Sequence, residues 1–210
     1  MIKLDYYFKN KNYLSDLFSK CTNTYEPFLY LNNYIDSITK DKKIGKNCKI
    51  GENVVIDNHV IIGDNVTINS HAYIRPYSII GDNCVIGHGS EIKHSILFPN
   101  SKVGSLCFVG DSIIGEKSRI GSGTIISNRR FDQREVGVKI DNNYYYLKSD
   151  FFGVILGDSS RIGANCVTNP GTHIGCYSWI NPMNKVKGFI KSSVQVDDGK
   201  IINLDKHELI

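Results

Sequence analysis

Ile44-Gly45-Lys46-Asn47-Cys48-Lys49-Ile50-Gly51-Glu52-Asn53-Val54-Val55-Ile56-Asp57-Asn58-His59-Val60-Ile61-Ile62 is the stretch whose spacing decides the fold. An aliphatic side chain returns every six residues, and the series continues through Ile68, Ile74, Ile80 and Ile86 to Ile92, nine positions without a slip. It resumes at Val103 and Val109, at Ile114, Ile120 and Ile126, and at Leu156, Ile162, Thr168, Ile174, Ile180 and Val186. Gly follows the aliphatic residue at twelve of these places, from Gly45 to Gly175. Four residues after it stands a compact side chain: Cys48, Val54, Val60, Val66, Ala72, Ser78, Cys84, Ser90. Such a period fits neither the turn of a helix, about 3.6 residues, nor the two-residue alternation of a lone strand. It marks a stacked solenoid, in which each unit buries its apolar face only against its neighbours.

Each hexad supplies one short strand and one turn, so three hexads close one triangular coil. Coils then stack at about 4.8 Å, the spacing between hydrogen-bonded strands. The leading aliphatics point inward and pile into columns. Asn and Asp in the turns, as at Asn53, Asn65 and Asn83, accept left-handed backbone. Cys48, Cys84, Cys107 and Cys166 all occupy the compact inner position and read as small hydrophobes, not as redox or metal groups. Cys21 and Cys176 fall outside that pattern, and with no C-x-x-C pair a zinc ribbon is excluded.

The expected fold is all-β: a single-stranded parallel β-helix of hexapeptide repeats spanning 44–191. Before it, Leu14–Phe18 and the helical spacing of Leu31, Tyr34, Ile35 and Ile38 predict that 1–43 form a small helical cap over the first coil. An open solenoid end exposes apolar columns and strand edges, so a cap is required. The period vanishes over an inserted loop, 127–155, rich in charge and aromatics. Long excursions from a rigid scaffold tend to carry function. In 192–210, Val194-Gln195-Val196 and Ile201-Ile202 flank Asp198-Gly199, the pattern of a tail hairpin.

The net charge of +4 neither demands nor excludes an anionic partner. No apolar run approaches the roughly 18 residues that span a bilayer, and Met1–Asn10 lacks the apolar segment of a signal peptide. The expected location is cytoplasmic, without membrane association. No P-loop, dinucleotide fingerprint or nucleic-acid motif is present.

Several segments carry more than the repeat: Ile74-Arg75-Pro76, Gly87-His88-Gly89-Ser90-Glu91-Ile92-Lys93, Val109-Gly110-Asp111-Ser112, Ile120-Gly121-Ser122-Gly123-Thr124 and Ser127-Asn128-Arg129-Arg130-Phe131-Asp132. Together they resemble the acetyltransferase half of the bifunctional glucosamine-1-phosphate acetyltransferase/uridylyltransferases, above all the archaeal-type and short stand-alone relatives. Asn169-Pro170-Gly171-Thr172 and Lys187-Gly188-Phe189-Ile190 add to the likeness. The resemblance implies a left-handed coil, a homotrimer with sites between subunits, a sugar-phosphate acceptor, and acetyl-CoA as donor with no tightly bound cofactor. The nucleotidyltransferase half, with its glycine-rich nucleotide loop, is not expected here.

Arg75 and Lys93 each follow the aliphatic of their hexad and lie three hexads, one full coil, apart. They therefore stack on one corner, where two cations repel unless an anion or an acidic neighbour such as Glu91 intervenes. The family's matching residues bind the sugar phosphate, and Asn128 matches its sugar-contacting Asn. The family's base is a His in a Gly-His-Leu-x-Tyr-x-Gly-Asp stretch, but this chain reads Gly104-Ser105-Leu106-Cys107-Phe108-Val109-Gly110-Asp111. Ser105 thus stands at the catalytic base position and Phe108 at that of a hydroxyl-bearing Tyr, while Arg134 and Gly137 replace two functional lysines. Serine is no base near neutral pH, and loss of a base typically slows such chemistry about 10²–10⁴-fold. His88 precedes Ser105 by one coil shortened by a single residue, the one missing between Ile92 and Leu97. That places it beneath Ser105 as a candidate surrogate. His94, beside Lys93, stands where the family usually has Asn.

His59, His71, His88, His94 and His173 are expected outward on turns, without the spacing of a shared three-His zinc site. Outward Phe98, Phe108 and Trp179 need cover, which a threefold assembly supplies. Two functions remain open: an acetyl-CoA-dependent acyltransferase of an (amino)sugar phosphate with a degenerate site, or a non-catalytic trimer that binds a ligand or serves as a scaffold.

Overall fold

The computed structural model describes residues 2–204. Its body is a β-solenoid of strands mostly two or three residues long in three sheets of eight, nine and seven strands, parallel except for a hairpin at the edge of the nine-stranded sheet. Successive coils pair in register: Lys42–Ile44 against Val60–Ile62, Thr67–Ile68 against Val85–Ile86, Tyr73–Ile74 against Glu91–Lys93. Corner residues such as Asn47, Asn53, Asn65, Asn83 and Asn165 hold positive φ, between 53° and 58°, which Asn tolerates better than most side chains. The architecture is the left-handed β-helix expected of this repeat.

The predicted columns fill the interior. Ile62, Ile80, Leu97, Ile114, Leu156 and Ile174 line one sheet, and Ile68, Ile86, Val103, Ile120, Ile162 and Ile180 the next, all buried. Cys84, Cys107 and Cys166 are buried free thiols at the compact position. Burial pushes Cys84 up to about 11 and the other two upward, so none is a ready nucleophile. Inner serines answer for themselves: Ser90, Ser112, Ser118 and Ser160 each donate to a backbone carbonyl at 2.7 Å.

The N-terminal segment departs from expectation. It does contain the helix, Glu26–Ile38, with Leu31 and Ile35 buried, but it does not close the first coil, where Ile44 and Ile50 are 40% and 43% exposed. Instead it lies along the outer face of the eight-stranded sheet and builds a second core there. Leu4, Tyr7, Phe8, Leu17, Phe18, Leu31 and Ile35 join the outward side chains Ile79, Ile96, Phe98, Ile113 and Ile155. The reason lies in those outward residues: alternation puts an apolar side chain on both faces of this sheet, so its outside needs cover more than the end does. Phe8 stacks on Phe98 (centroids 5.1 Å apart, 6° between planes) and Phe18 meets it edge-on. Phe98 is therefore covered from within the chain and makes no demand for a partner subunit.

His173 is the second correction. It sits in the strand Thr172–Ile174, not on a turn, and is fully buried under the N-terminal segment. Its Nε2 lies 2.9 Å from Thr24 Oγ1 and its Nδ1 2.8 Å from the Gly171 carbonyl, with Phe152 stacked on the ring and Tyr7 at its edge.

The inserted loop leaves after Ile126 and returns at Val154, carrying an antiparallel hairpin, Gly137–Ile140 with Asn143–Tyr146. Val136, Val138, Ile140, Leu147 and Phe152 anchor it in the second core. Gly137 packs closely on the outer end of the half-exposed Tyr144 ring, so a side chain there would require the ring to swing aside. At the C-terminal end, Val194–Asp197 and Lys200–Asn203 pair antiparallel about Asp198-Gly199.

Candidate active site

The seven-stranded sheet carries the candidate residues on its two corners. Arg75, Lys93 and Asn128 lie at the C-terminal ends of strands of this sheet, because Ile74, Ile92, Val109 and Ile126 are successive register partners. His88 and Ser105 precede strands of the same sheet and occupy the opposite corner. One chain thus brings Arg75, Lys93 and Asn128 together and keeps His88 and Ser105 apart from them, across the width of the sheet.

Each cation of the first corner already has a carboxylate. Arg75 Nη1 donates to Glu91 Oε1 at 2.8 Å, which uses one of the five guanidinium donors. The Glu91 contact also holds the Arg75 pKa above its ordinary value. Lys93 Nζ donates to Asp111 Oδ2 at 3.2 Å and lies over the Phe151 ring, 4.6 Å from its centroid. Phe151 is held from its other neighbour too, by Arg129 at 5.0 Å.

Asp111 is the centre of this corner. It is 5% exposed and accepts from three donors: Lys93 Nζ, Asn128 Nδ2 at 2.6 Å, and His94 Nδ1 at 2.9 Å. Burial pushes its carboxyl pKa upward, but the bonds from His94 and Asn128 and the Lys93 charge prevail, and it stays below the usual range. Asp111 is therefore a carboxylate, so the His94 nitrogen facing it is the donor. The other imidazole nitrogen, Nε2, lies 3.1 Å from Asn32 Oδ1, and Phe28 packs beside the ring at 5.7 Å. Sequence reasoning assigned no role to Asp111, although the signal was present. Positions 94, 111 and 128 recur at equal intervals, and the coils here are one residue short, so the three fall in one column.

On the second corner the Leu106 N–H donates to the His88 carbonyl at 2.8 Å, so His88 and Ser105 do stack. No hydrogen bond joins their side chains among the described residues. The His88 ring meets His71 edge-on at 5.3 Å instead, and the Ser105 N–H donates to Ser122 Oγ at 3.1 Å. Beyond this corner, Arg119 and Arg161 are register partners in the nine-stranded sheet, and Arg161 lies 6.0 Å from the Trp179 ring. With Ser122, Ala164 and Pro182 they line an open groove of about 460 Å³.

Two family models match this chain: one described as the GMPPB C-terminal domain over residues 56–145, and one described as the hexapeptide repeat of succinyl-transferase over residues 153–177. Over these residues the chain is similar to hexapeptide-repeat acyltransferases, and each model spans less than half of it. Among hexapeptide-repeat relatives, the bifunctional sugar-1-phosphate nucleotidylyltransferase/acetyltransferase of Sulfurisphaera tokodaii is 38% identical over 92 residues. The bifunctional protein GlmU of Methanococcus aeolicus is 45% identical over 94 residues. Each match covers 44% of this chain but only 23% and 22% of the relative's length. The crystal structure of LpxA, a UDP-N-acetylglucosamine acyltransferase from Bacteroides fragilis, shares the hexapeptide-repeat fold at a TM-score of 0.54 and 20% identity. That likeness covers 77% of this chain and 69% of the other.

Among the described residues no group of three or more His, Cys, Asp or Glu is placed to hold a metal, and no helix is long and apolar enough to cross a membrane.

Proposed function

We propose that this protein transfers an acetyl group from acetyl-CoA to an (amino)sugar phosphate. The observation that carries this reading is the corner where Arg75 and Lys93 stack with Asn128 beside them. Both cations retain free donors after binding Glu91 and Asp111, four on the guanidinium and two on the ammonium by the ordinary inventory of about five and three. A phosphate takes up several such donors at once, and charge-assisted bonds of this kind are the strong ones. The groove at Arg119, Arg161 and Trp179 suits a CoA tail, which offers phosphates to arginines and a flat base to an aromatic ring.

Acyl transfer also needs the two corners to meet, and a second copy of the chain is the means. The outer face of the seven-stranded sheet exposes Val55, Tyr73, Ile125 and Val167, with Phe108 half-buried among them. This column, apolar except for Glu91 and Lys185, is covered by a threefold assembly that sets one chain's Lys93 corner beside the next chain's Ser105 corner. Sedimentation at micromolar concentration should report a trimer, acting in the cytoplasm on soluble substrates. A stable monomer would overturn the shared site.

The binding test is direct. Calorimetric titration with glucosamine-1-phosphate should give saturable binding that Arg75→Ala weakens by about 1.5–3 kcal/mol. Unchanged affinity in Arg75→Ala, or no binding of either sugar phosphate or acetyl-CoA, sinks the reading. Ser105 favours the second reading, a trimer that binds without catalysis, because a serine hydroxyl cannot take the amine proton. Binding of both ligands with no release of free CoA thiol would select it.

A further inference from the structure

His94 and Asp111 form an oriented imidazole–carboxylate pair that neither the altered Ser105 position nor the phosphate corner accounts for. We propose that His94, held by Asp111, is the general base of this protein's acyl transfer, a proposal that rests on the function given above. The geometry has the three parts such a base needs. The carboxylate is buried, ionised and 2.9 Å from Nδ1, which fixes the tautomer with the proton on Nδ1 and leaves a lone pair on Nε2. The ring is clamped by Phe28 at 5.7 Å and by Tyr77, edge-on at 6.5 Å, so Nε2 has a defined direction. Nε2 faces the exposed amide of Asn32 on the helix Glu26–Ile38, 3.1 Å from its Oδ1; with the ring proton on Nδ1 the amide turns its N–H toward Nε2, and this exposed side chain is free to give way to an acceptor.

Location strengthens the case. His94 follows Lys93 in the chain, so the base and the phosphate-binding cation share one corner of one chain, whereas Ser105 reaches that corner only from the next chain of the proposed trimer. An acceptor whose phosphate rests on Arg75 and Lys93 is thereby held at the corner that carries His94. In the step, the amine nitrogen attacks the thioester carbonyl and its N–C bond forms as the amine proton passes to His94 Nε2. The C–S bond then breaks, and the imidazolium returns that proton to the departing CoA thiolate, leaving an amide and free CoA thiol. Charged groups facing the ring are Asp111 and Lys93 on the coil. The helix presents Phe28 and Asn32, the inserted loop Asn128, and the column below it Tyr77 with His59.

The discriminating variant is His94→Asn. Residue 94 has φ of 46°, a left-handed conformation that Asn accepts, so the backbone and the contact to Asp111 survive. With the intact chain, acetyl-CoA and glucosamine-1-phosphate, kcat should fall about 10²–10⁴-fold while sugar-phosphate affinity stays within about threefold. The acid limb of the wild-type kcat/KM profile should disappear in the variant, and added free imidazole should restore part of the rate, neither of which a merely structural histidine would produce. Imidazole ¹⁵N spectra of the wild-type chain should show an Nδ1-protonated histidine that is missing from His94→Asn and whose signal moves when the sugar phosphate binds. Turnover in His94→Asn at the wild-type rate overturns the proposal and leaves the acyltransferase reading standing. A wild-type chain that binds both substrates but releases no CoA overturns it as well. A chain that binds neither substrate removes the function and the base together.

Discussion

Acidification should loosen this protein through one buried residue, His173. Burial lowers its pKa from 6.5 to about 4, against a smaller upward pull from the Gly171 carbonyl. In the unfolded chain the imidazole takes a proton as the pH drops below 6.5, and in the folded chain only near 4. The folded state therefore keeps this contribution in full above 6.5 and loses it progressively down to about 4. At about 1.4 kcal/mol per pH unit the whole gap amounts to roughly 3 kcal/mol, most of which is already lost at pH 4.5. The matching perturbation is His173→Phe, which keeps a ring between Phe152 and Tyr7 but cannot charge. It strands the Thr24 hydroxyl, so at pH 7.5 the variant should be less stable by about 1–3 kcal/mol. Urea unfolding followed by circular dichroism, at pH 7.5 and at 4.5, gives the comparison. The wild type should lose roughly 2–3 kcal/mol more than the variant between those two pH values. Carboxylates titrate alike in both chains and cancel. Parallel losses would refute the claim that His173 is held neutral under the N-terminal segment.

Other outcomes follow from single contacts. Thr168 stands in an inner column with its hydroxyl buried and unpaired, so Thr168→Val should raise stability by about 1 kcal/mol and Tm by about 2–4 °C in a scanning calorimeter. Phe98→Ala removes the side chain on which Phe8 and Phe18 rest, and should cost about 3–5 kcal/mol in denaturant unfolding. Cleavage in the N-terminal segment should rise with it under limited proteolysis. Arg161→Ala should weaken CoA binding by about 1.5–3 kcal/mol, with less effect on dephospho-CoA if the arginine meets the terminal phosphate. Equal losses for both would place that phosphate elsewhere.

Much of this molecule is legible along the chain. Each coil packs only on the coils above and below it, so a six-residue period carries the strands, the inner columns and the buried cysteines. The same arithmetic stacks Arg75 on Lys93 and sets Asn128 at their corner, since three hexads, or one residue fewer where a coil is shortened, return the chain to the same place. What the period does not contain is the destination of residues outside it. The segment before Lys42 has helical spacing but no register with the coils, and its spacing alone suits an end cap as well as a flank. Only the assembled solenoid, with Ile79, Ile96, Phe98, Ile113 and Ile155 standing outward on one sheet, offers the larger apolar surface and draws the segment along it. That docking buries His173 against Thr24, far away in the chain, and sets Asn32 and Phe28 beside His94. Periodicity is a property of neighbours in the coil, whereas these contacts join segments that share no period, so tertiary packing alone decides them.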